Sequence, residues 1–388
     1  MPMSPLSVAA GRARCAGLVI ALWACNSAAG EPVVNPWLAS SAYPISHHNA
    51  AQTDSTPVDG PSIGKKLTTA DVKTVSLLWS SAPTFKNVGG AVMVVDRDLQ
   101  LQDYLIFPGE YSENSMAVDE NNGIYVVTSS TMHKLVWTGS KLSREEKDGA
   151  WSSPYEVMPE GEAKKLGAAS HGAGTTPSLL GFGEHEDKLV VISDGSPDGA
   201  NLVAFWRDTI PADFKQQTGT LSRRIAGQIP IEISDTTIEA SLVTHGNGVI
   251  VVNSTYPDPA PVPGDLISNA FLSGTTREPP RGIRKFEWLP AEDRFVESWS
   301  MPDIDNTDWM PPAVSTSNGL VYIANRRNDI YEYLAADWET GAVKAVWEFP
   351  DDSVLWNNWG GITVFLEDGD LLLGGFFAIK RYDIGALR

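Results

Sequence analysis

The sequence predicts an all-β fold, a β-propeller of about six four-stranded blades with a range of five to eight, closed by an N-terminal strand. Three observations predict it: a three-strand unit recurs along the chain, a further strand-like segment follows most copies, and an unpaired strand precedes the first copy. Four strands in roughly 50 to 65 residues is the repeat spacing of propeller blades. A pair of β-sandwiches or a β-solenoid is the alternative architecture.

The recurring unit contains a short apolar strand, a turn with Gly, Asn or Asp, a β-branched strand, and a third strand that ends in an aromatic residue. The clearest copy is 114–137, in which Asn121-Asn122-Gly123 predicts a hairpin. The other copies occupy residues 175–206, 238–288, 311–334 and 360–382. The weakest copy is 89–107.

A fourth, outer strand is predicted for most copies by strand-like segments at 151–158, 224–233, 295–301 and 343–349. The copy at 360–382 has no such segment after it. Residues 72–80 (VKTVSLLWS) form an unpaired strand that can complete this blade. We therefore expect 72–80 to close the ring and remove its exposed edges.

The first 30 residues have the pattern of a signal peptide, since Arg12 and Arg14 precede an apolar run at 16–24 that is too short to span a bilayer. Two cleavage sites remain open. Residues 22–25 (LWAC) resemble a lipoprotein box, which would leave a lipidated Cys25, and Ala28-Ala29-Gly30 is an ordinary signal-peptidase site. We divide the chain into a signal peptide at 1–30, an N-terminal arm at 31–71 and one propeller domain at 72–388.

The charge and cysteine content limit the partners. With 29 Lys and Arg against 48 Asp and Glu, the formal net charge is -19, which disfavours nucleic acid and anionic membrane surfaces. Both cysteines, Cys15 and Cys25, precede residue 31, so the mature domain offers no thiol chemistry. We expect an exported protein, periplasmic or an outer-membrane lipoprotein of a bacterium, that contacts a membrane only through a lipid on Cys25.

One segment carries a family resemblance. Residues 335–347 (AADWETGAVKAVW) resemble the Asp-x-x-Thr-Gly…Trp repeat of the pyrroloquinoline-quinone-like propeller superfamily, with Asp337, Thr340, Gly341 and Trp347 at the repeat positions. The resemblance implies a propeller. Members that bind the quinone also carry a carboxylate set and, in several cases, adjacent cysteines, and the mature domain has no cysteine. Quinone binding is therefore not carried over from the resemblance.

Loops that lead into the first strand of each repeat should meet at the mouth of the central channel. His171, in the glycine-flanked loop 170–174, is expected to be flexible enough to reach a ligand and act as a general base. Glu113 and Glu239 are predicted to assist it or to hold a divalent cation. Arg326 could pair with a substrate carboxylate. Further candidate ligand-binding residues around the mouth are Asn87, Asn114, Trp309, Asn358, Trp359, His47 and His48.

Two function classes remain open. The first is a hydrolase or lyase that acts on a small polar or saccharide-like substrate at the channel mouth. The alternative is a non-catalytic propeller that binds a ligand or another envelope protein. A quinone-dependent oxidoreductase is a further alternative. Convergence of His171, Glu113, Glu239 and Arg326 on one cavity favours an enzyme, whereas dispersal of these residues, or a channel blocked by the arm, favours binding. The longest insertion, 254–281, is typical of a binding loop or lid.

Overall fold

A computed structural model describes residues 47–67, 72–76, 90–96, 98–112, 114–166, 171–232, 238–258, 272–273, 276–359, 363–366, 370–375 and 378–382. In this part of the chain nearly all regular structure is β-strand. The exceptions are one α-helix, α1 (Glu160–Leu166), and two 3-10 turns, Glu146–Asp148 and Val354–Trp356. The fold is an all-β propeller, and its strands form six sheets.

The arm and the first sheet contain the first five strands. We call the described residues 47–67, together with the strand that follows them at 72–76, the arm. It has two short strands and the strand that was expected to close the ring, β1 (Ser55–Thr56), β2 (Lys65–Lys66) and β3 (Val72–Ser76). The first sheet is the antiparallel pair of β4 (Gly90–Val95) and β5 (Leu101–Phe107). The structure thus describes two strands of the four expected in this weakest copy.

The second to fourth sheets each follow the chain in order from the innermost strand outward. The second sheet consists of β6 (Ala117–Val118), β7 (Gly123–Val127), β8 (Thr131–Trp137) and β10 (Trp151–Pro154), and β9 (Leu142–Ser143) also pairs with β8. The third sheet is β11 (Ser178–Leu180), β12 (Leu189–Ser193), β13 (Asn201–Trp206) and β14 (Ile225–Pro230). The fourth sheet is β15 (Val243–His245), β16 (Gly248–Val252), β17 (Arg281–Leu289) and β18 (Arg294–Asp305).

The last two sheets incorporate the arm. The fifth sheet is β19 (Ala313–Ser315), β20 (Leu320–Arg327), β21 (Ile330–Asp337) and β22 (Val343–Glu348), with β1 added at its inner edge and β2 at its outer edge. The sixth sheet is β23 (Thr363–Phe365), β24 (Leu371–Leu373) and β25 (Ala378–Tyr382), and β3 is its outer strand. β3 pairs with β25 in antiparallel register from Ala378↔Ser76 to Tyr382↔Val72, which confirms that the N-terminal strand completes the last blade. Residues 77–80 of the predicted strand lie outside the described residues.

Local sequence explains the turns between these strands. The predicted hairpin at 121–123 forms between β6 and β7, where the Asp119 carboxylate accepts hydrogen bonds from the backbone N–H groups of Asn121 and Gly123. A turn also forms within residues 335–347, the segment with the family resemblance. Asp337 accepts from the backbone and the hydroxyl of Thr340, and Gly341 has a φ of 70° that suits glycine. The motif therefore has a structural role between β21 and β22.

The apolar core lies between neighbouring sheets. Five clusters of buried side chains each join two successive sheets, from the first and second to the fifth and sixth. Aromatic rings bridge the gaps, as where Trp206 of the third sheet meets Trp288 of the fourth edge to face. The other face of the first sheet is different, because Met93 and Tyr104 there are 64% and 53% exposed.

The arm occupies the central channel. We call upper the end of the channel where β6, β11, β15 and β19 begin, and lower the end where these strands turn back. The arm enters from above and runs parallel to β19. Backbone N–H groups on four sheets donate to arm carbonyl groups: Val118 to Ala50 (2.7 Å), Leu179 to Ala51 (3.1 Å), Thr244 to Thr53 (3.0 Å), Val314 to Asp54 (2.9 Å) and Thr316 to Thr56 (2.8 Å).

Below the channel the arm crosses under the fifth sheet. The Tyr322 hydroxyl donates to the Pro61 carbonyl (2.8 Å), and the Trp347 indole N–H donates to the Ile63 carbonyl (2.9 Å). β2 then pairs in parallel with β22. One segment of chain thus contacts the centre of the molecule, its lower face and the edge of a sheet.

Gly64→Ala tests this course of the arm. A Cβ atom at position 64 would lie 2.3 Å from the Val346 carbonyl oxygen and 2.4 Å from its nitrogen, both in the backbone of β22. We expect the variant to lose about 1–3 kcal/mol of unfolding free energy, measured by urea denaturation.

Gly161→Ala in α1 is the matched control, because no heavy atom lies within 4 Å of its added Cβ. It should be neutral or stabilising, since alanine favours a helix more than glycine does. Equal stability of Gly64→Ala and the wild type would contradict the packing of the arm on β22.

Candidate functional site

The start of the arm fills the upper mouth of the channel. His47 and His48 adopt left-handed backbone conformations, with φ values of 59° and 68°, that turn the chain into the channel. His47 Nδ1 lies 2.6 Å from an oxygen of the Asp54 carboxylate, which is 2% exposed. The side chain of Asn49 donates to the Thr53 hydroxyl and contacts His48 Nδ1 at 3.1 Å. Both histidines therefore contact the arm itself.

The pair of His47 and Asp54 favours the protonated imidazole. Burial alone lowers the pKa of His47, but the charge of Asp54 and its hydrogen bond outweigh burial, so the pKa is raised above its ordinary value. The positive charge of His47 thus compensates a buried carboxylate at the top of the channel.

His171 is placed differently from the expectation. Its Nδ1 donates to the Met158 carbonyl at 3.0 Å, and its ring stacks on Tyr111 with centroids 6.1 Å apart. The flanking glycines allow close backbone packing. A Cβ on Gly172 would lie 2.6 Å from the Ser129 carbonyl oxygen, and one on Gly174 would lie 2.4 Å from that of Ile238. The flexibility expected of the loop stays a prediction.

Two further predicted residues lie near the His171 loop. Asn114 donates from its side chain to the Ala173 carbonyl at 3.0 Å. Glu239 has its carboxylate beside Gly174, and its backbone N–H donates to the Ser254 hydroxyl at 2.6 Å. Glu113 and Asn87 lie outside the described residues. Of the four predicted catalytic residues, the structure brings His171 and Glu239 to neighbouring loops and places Arg326 elsewhere.

Three predicted ligand-binding residues meet at the upper face of the fifth and sixth sheets. The rings of Trp309 and Trp359 have centroids 5.8 Å apart, and Tyr256 packs on Trp309 from the fourth sheet at 5.5 Å. Asn358 is buried beside Asp308. The aromatic rings form a continuous apolar surface across three sheets.

Two buried charged side chains that the sequence reasoning missed, Asp308 and Lys380, lie near this group and share Asn357 as a hydrogen-bond partner. The Asp308 carboxylate accepts from the Asn357 side chain at 2.7 Å, and Lys380 of β25 donates to the Asn357 carbonyl at 2.6 Å. Burial raises the pKa of Asp308, and burial lowers the pKa of Lys380. The sequence signal was a lysine in the short strand 378–382, beside Arg381, and it did not identify a partner.

Arg326 lines a cavity of about 820 Å³ between the fourth and fifth sheets. Three further arginines line it, Arg277, Arg281 and Arg327. Acidic side chains hold some of them in place, since Arg326 lies 3.1 Å from Asp329. The remaining lining residues are Thr276, Glu278, Pro279, Met301, Pro302, Asp303, Ile304, Asp305, Asn325, Asn328, Asp329, Leu334 and Val343.

A second cavity of about 890 Å³ adjoins the first and extends toward the third sheet. The two share Glu278, Pro279 and Arg281 as a common wall. Residues that line only the second cavity are mostly polar, and they include Glu156, Ser196, Asp198, Asn201, Gln228, Glu232, Asn253, Thr255 and Tyr256. Arg277 and Arg281 belong to the insertion 254–281, so that insertion does supply lining residues, although no sequence signal identified these two arginines.

The described residues contain neither a group of metal ligands nor a membrane-spanning helix. Within the described ranges, no three His, Cys, Asp or Glu side chains are grouped so that they could hold a metal ion. The helical residues that the structure describes include no segment with the length and apolar character needed to cross a membrane.

Comparison with known sequences gives a distant relative. No protein-family model matches the sequence. An uncharacterized protein of Archaeoglobus fulgidus is 31% identical in an alignment of 288 residues that covers 70% of this chain. The chain spans about half of that relative's length, 53%.

Among solved structures, the chain is similar to the Dos1 propeller, with a TM-score of 0.39 and 13% identity over 76% of this chain and 73% of that one. It is also similar to a europium-containing methanol dehydrogenase, with a TM-score of 0.41 and 9% identity over 86% and 54%. A Lactobacillus plantarum protein gives a TM-score of 0.36 and 12% identity over 66% and 67%. All three TM-scores are below 0.5, and the assignment of the fold rests on the sheet topology.

The pair of His47 and Asp54 predicts a pH effect on stability. Folding raises the pKa of His47. The stability that the pair contributes is therefore complete at a pH below the pKa of His47 in the unfolded chain, and it is lost as the pH rises through the pKa of His47 in the folded chain. We compare the wild type with His47→Gln by urea denaturation from pH 5 to pH 9. The stability advantage of the wild type should shrink as the pH rises, and a pH-independent difference would contradict the ion pair.

Proposed function

We propose that the protein is an exported β-propeller that binds an anionic ligand in the arginine-lined cavity between the fourth and fifth sheets. One observation carries the proposal. Four arginines line a single cavity, where they balance the charges of Glu278, Asp303, Asp305 and Asp329, in a chain whose formal net charge is -19. Guanidinium groups pair with carboxylates through two parallel hydrogen bonds, so a cluster of them favours such a ligand.

The arginines are held before a ligand arrives. The Arg277 guanidinium lies 3.5 Å from the centre of the Tyr256 ring, donates to the Asp258 carbonyl at 2.9 Å, and is 6% exposed as a residue. Arg281 contacts Glu278 at 3.2 Å. Because these side chains are already ordered, binding would cost less conformational entropy than it would with free surface arginines.

The arm supports binding over catalysis at the channel mouth. Its backbone hydrogen bonds fill the place where a propeller would admit a substrate, and His171 uses Nδ1 for a backbone contact. The described residues that were expected to act in a hydrolase or lyase therefore do not converge on one open cavity at the channel mouth. Among the described members of this set, Arg326 lines the cavity between the fourth and fifth sheets, and it suits recognition of a carboxylate rather than proton transfer.

The adjoining cavity narrows the ligand class. Its side-chain amides, Asn201, Asn253 and Gln228, can donate to and accept from hydroxyl groups. A ligand that spans both cavities would carry a carboxylate at the arginine end and hydroxyls at the other end. We therefore propose an acidic sugar, such as a hexuronate or a short chain of hexuronates.

Export is the second part of the proposal. The first 30 residues support it through their basic start, apolar run and two candidate cleavage sites. A protein of this kind would bind its ligand in the periplasm or, lipidated at Cys25, at the outer membrane.

Binding can be measured by isothermal titration calorimetry with glucuronate, and glucose serves as the uncharged comparison. We expect the protein to bind glucuronate and to bind glucose more weakly. Arg326→Ala should weaken glucuronate binding by about 10- to 100-fold, because one hydrogen-bonded charge pair contributes about 1.5–3 kcal/mol. Arg326→Lys should keep only part of the affinity, since it retains the charge and loses the fork.

Arg294→Ala is the matched control, because Arg294 lies on the lower hairpin of the fourth sheet and pairs with Glu292 at 2.7 Å. It should bind glucuronate as the wild type does. Equal affinity for glucuronate and glucose, or equal losses in Arg294→Ala and Arg326→Ala, would overturn the proposal.

A further inference from the structure

A second group of reactive side chains lies on the second sheet, on the side that faces the first sheet. Ser152 of β10 and His133 of β8 are directly opposed in the antiparallel register. The Ser152 hydroxyl oxygen is 2.8 Å from His133 Nδ1, and Glu110 places a carboxylate oxygen 3.1 Å from His133 Nε2. We infer that Ser152 is a nucleophile, His133 its base and Glu110 the positioning residue of a hydrolytic site for carboxylic esters.

The histidine is held on two sides. Its ring packs against Phe107 of β5 with centroids 4.6 Å apart, and the residue is 8% exposed. Glu110 is fixed in turn by a hydrogen bond from the Thr128 hydroxyl. A base that is packed and hydrogen-bonded at both ring nitrogens cannot rotate away from the nucleophile, which is the role of the acid in a serine–histidine–acid triad.

The protonation states suit proton transfer. Burial is the largest influence on His133 and lowers its pKa, so the imidazole is neutral at pH 7. Burial alone would raise the pKa of Glu110, but hydrogen bonds from Thr128 and His133 lower it, so the carboxylate is charged. A charged Glu110 accepts the Nε2–H of His133. Nδ1 then carries the lone pair, and the Ser152 hydroxyl donates to it.

Access distinguishes Ser152 from its neighbour. Ser152 is exposed, whereas Ser153 is buried and its hydroxyl lies 2.6 Å from that of Ser222. A positive group lies nearby, since the Arg144 guanidinium stacks on the same Phe107 ring at 4.5 Å and its charge contributes to lowering the pKa of His133. The Arg144 charge therefore acts on the base of the proposed site and favours its neutral form.

The reaction balances without a cofactor. Ser152 Oγ attacks the ester carbonyl carbon while its proton passes to His133 Nδ1. The bond from carbon to the alcohol oxygen then breaks, and the alcohol leaves with that proton. Water attacks the acyl-serine, gives a proton to Nδ1, and releases the carboxylic acid as the serine recovers its proton. In the chymotrypsin-type triad Nε2 faces the serine and Nδ1 faces the acid, whereas here Nδ1 faces Ser152 and Nε2 faces Glu110. Either imidazole nitrogen can serve as the base.

The probe is a fluorophosphonate, which forms a covalent bond only with activated serines, followed by peptide mass spectrometry. We expect the label on Ser152 of the wild-type protein and none on Ser152 in His133→Gln. Ser140 is the internal control, because it is exposed in the β8–β9 hairpin of the same sheet. Labelling of Ser140 and Ser152 to the same extent, or no labelling of Ser152, would overturn the inference.

Turnover of p-nitrophenyl acetate gives the second measurement. Ser152→Ala should abolish it, His133→Gln should lower kcat by about 100-fold or more, and Ser140→Ala should leave it unchanged. Glu110→Gln should lower kcat with KM and melting temperature nearly unchanged, and Glu110→Asp should restore part of kcat, which a purely structural role would not predict. Wild-type turnover in Ser152→Ala would contradict the site even if arginine-dependent glucuronate binding were confirmed.

Discussion

The centre of this propeller depends on backbone hydrogen bonds between its innermost strands and the arm. Innermost strands carry N–H groups on the channel side that need acceptors, because an unpaired buried N–H costs free energy. Here arm carbonyl groups from Ala50 to Thr56 provide them for strands of four sheets. The left-handed backbone at Gln52 and Asp54 allows successive carbonyls to point at different sheets. The same arm then supplies strands to the fifth and sixth sheets, so closure of the ring and filling of the channel are linked.

This constraint determines where chemistry can occur. A channel that contains a peptide segment has no room for a substrate at its axis, so accessible polar groups lie farther out. The arginines of the cavity between the fourth and fifth sheets, and Ser152 on the second sheet, are both of this kind. Trp309 and Trp359 pack together where the fifth and sixth sheets meet. Asp308 and Lys380 are buried and both contact Asn357, which indicates a role in joining these two sheets.

The strand pattern was predictable because it is local. Alternating apolar residues and turn residues define each hairpin, as at 121–123. The last repeat had no outer strand of its own, and this identified β3 as the strand that completes it. The course of the arm was not predictable, because residues 50–63 are rich in polar, proline and glycine residues and contact residues that lie between 68 and 284 positions away in the sequence. The close packing of the His171 loop was not predictable for a related reason. Glycines signal either flexibility or close packing, and only the contacts of Gly172 and Gly174 distinguish the two.

Native-state hydrogen exchange followed by NMR tests the central claim most directly. The amides of Leu179, Thr244 and Val314 donate to the arm across the channel. If the arm fills the channel, these three amides should exchange only with global unfolding, at rates that match the slowest amides of β12 and β16. Exchange of the three within minutes, while β12 and β16 remain protected, would show an open channel and contradict the account.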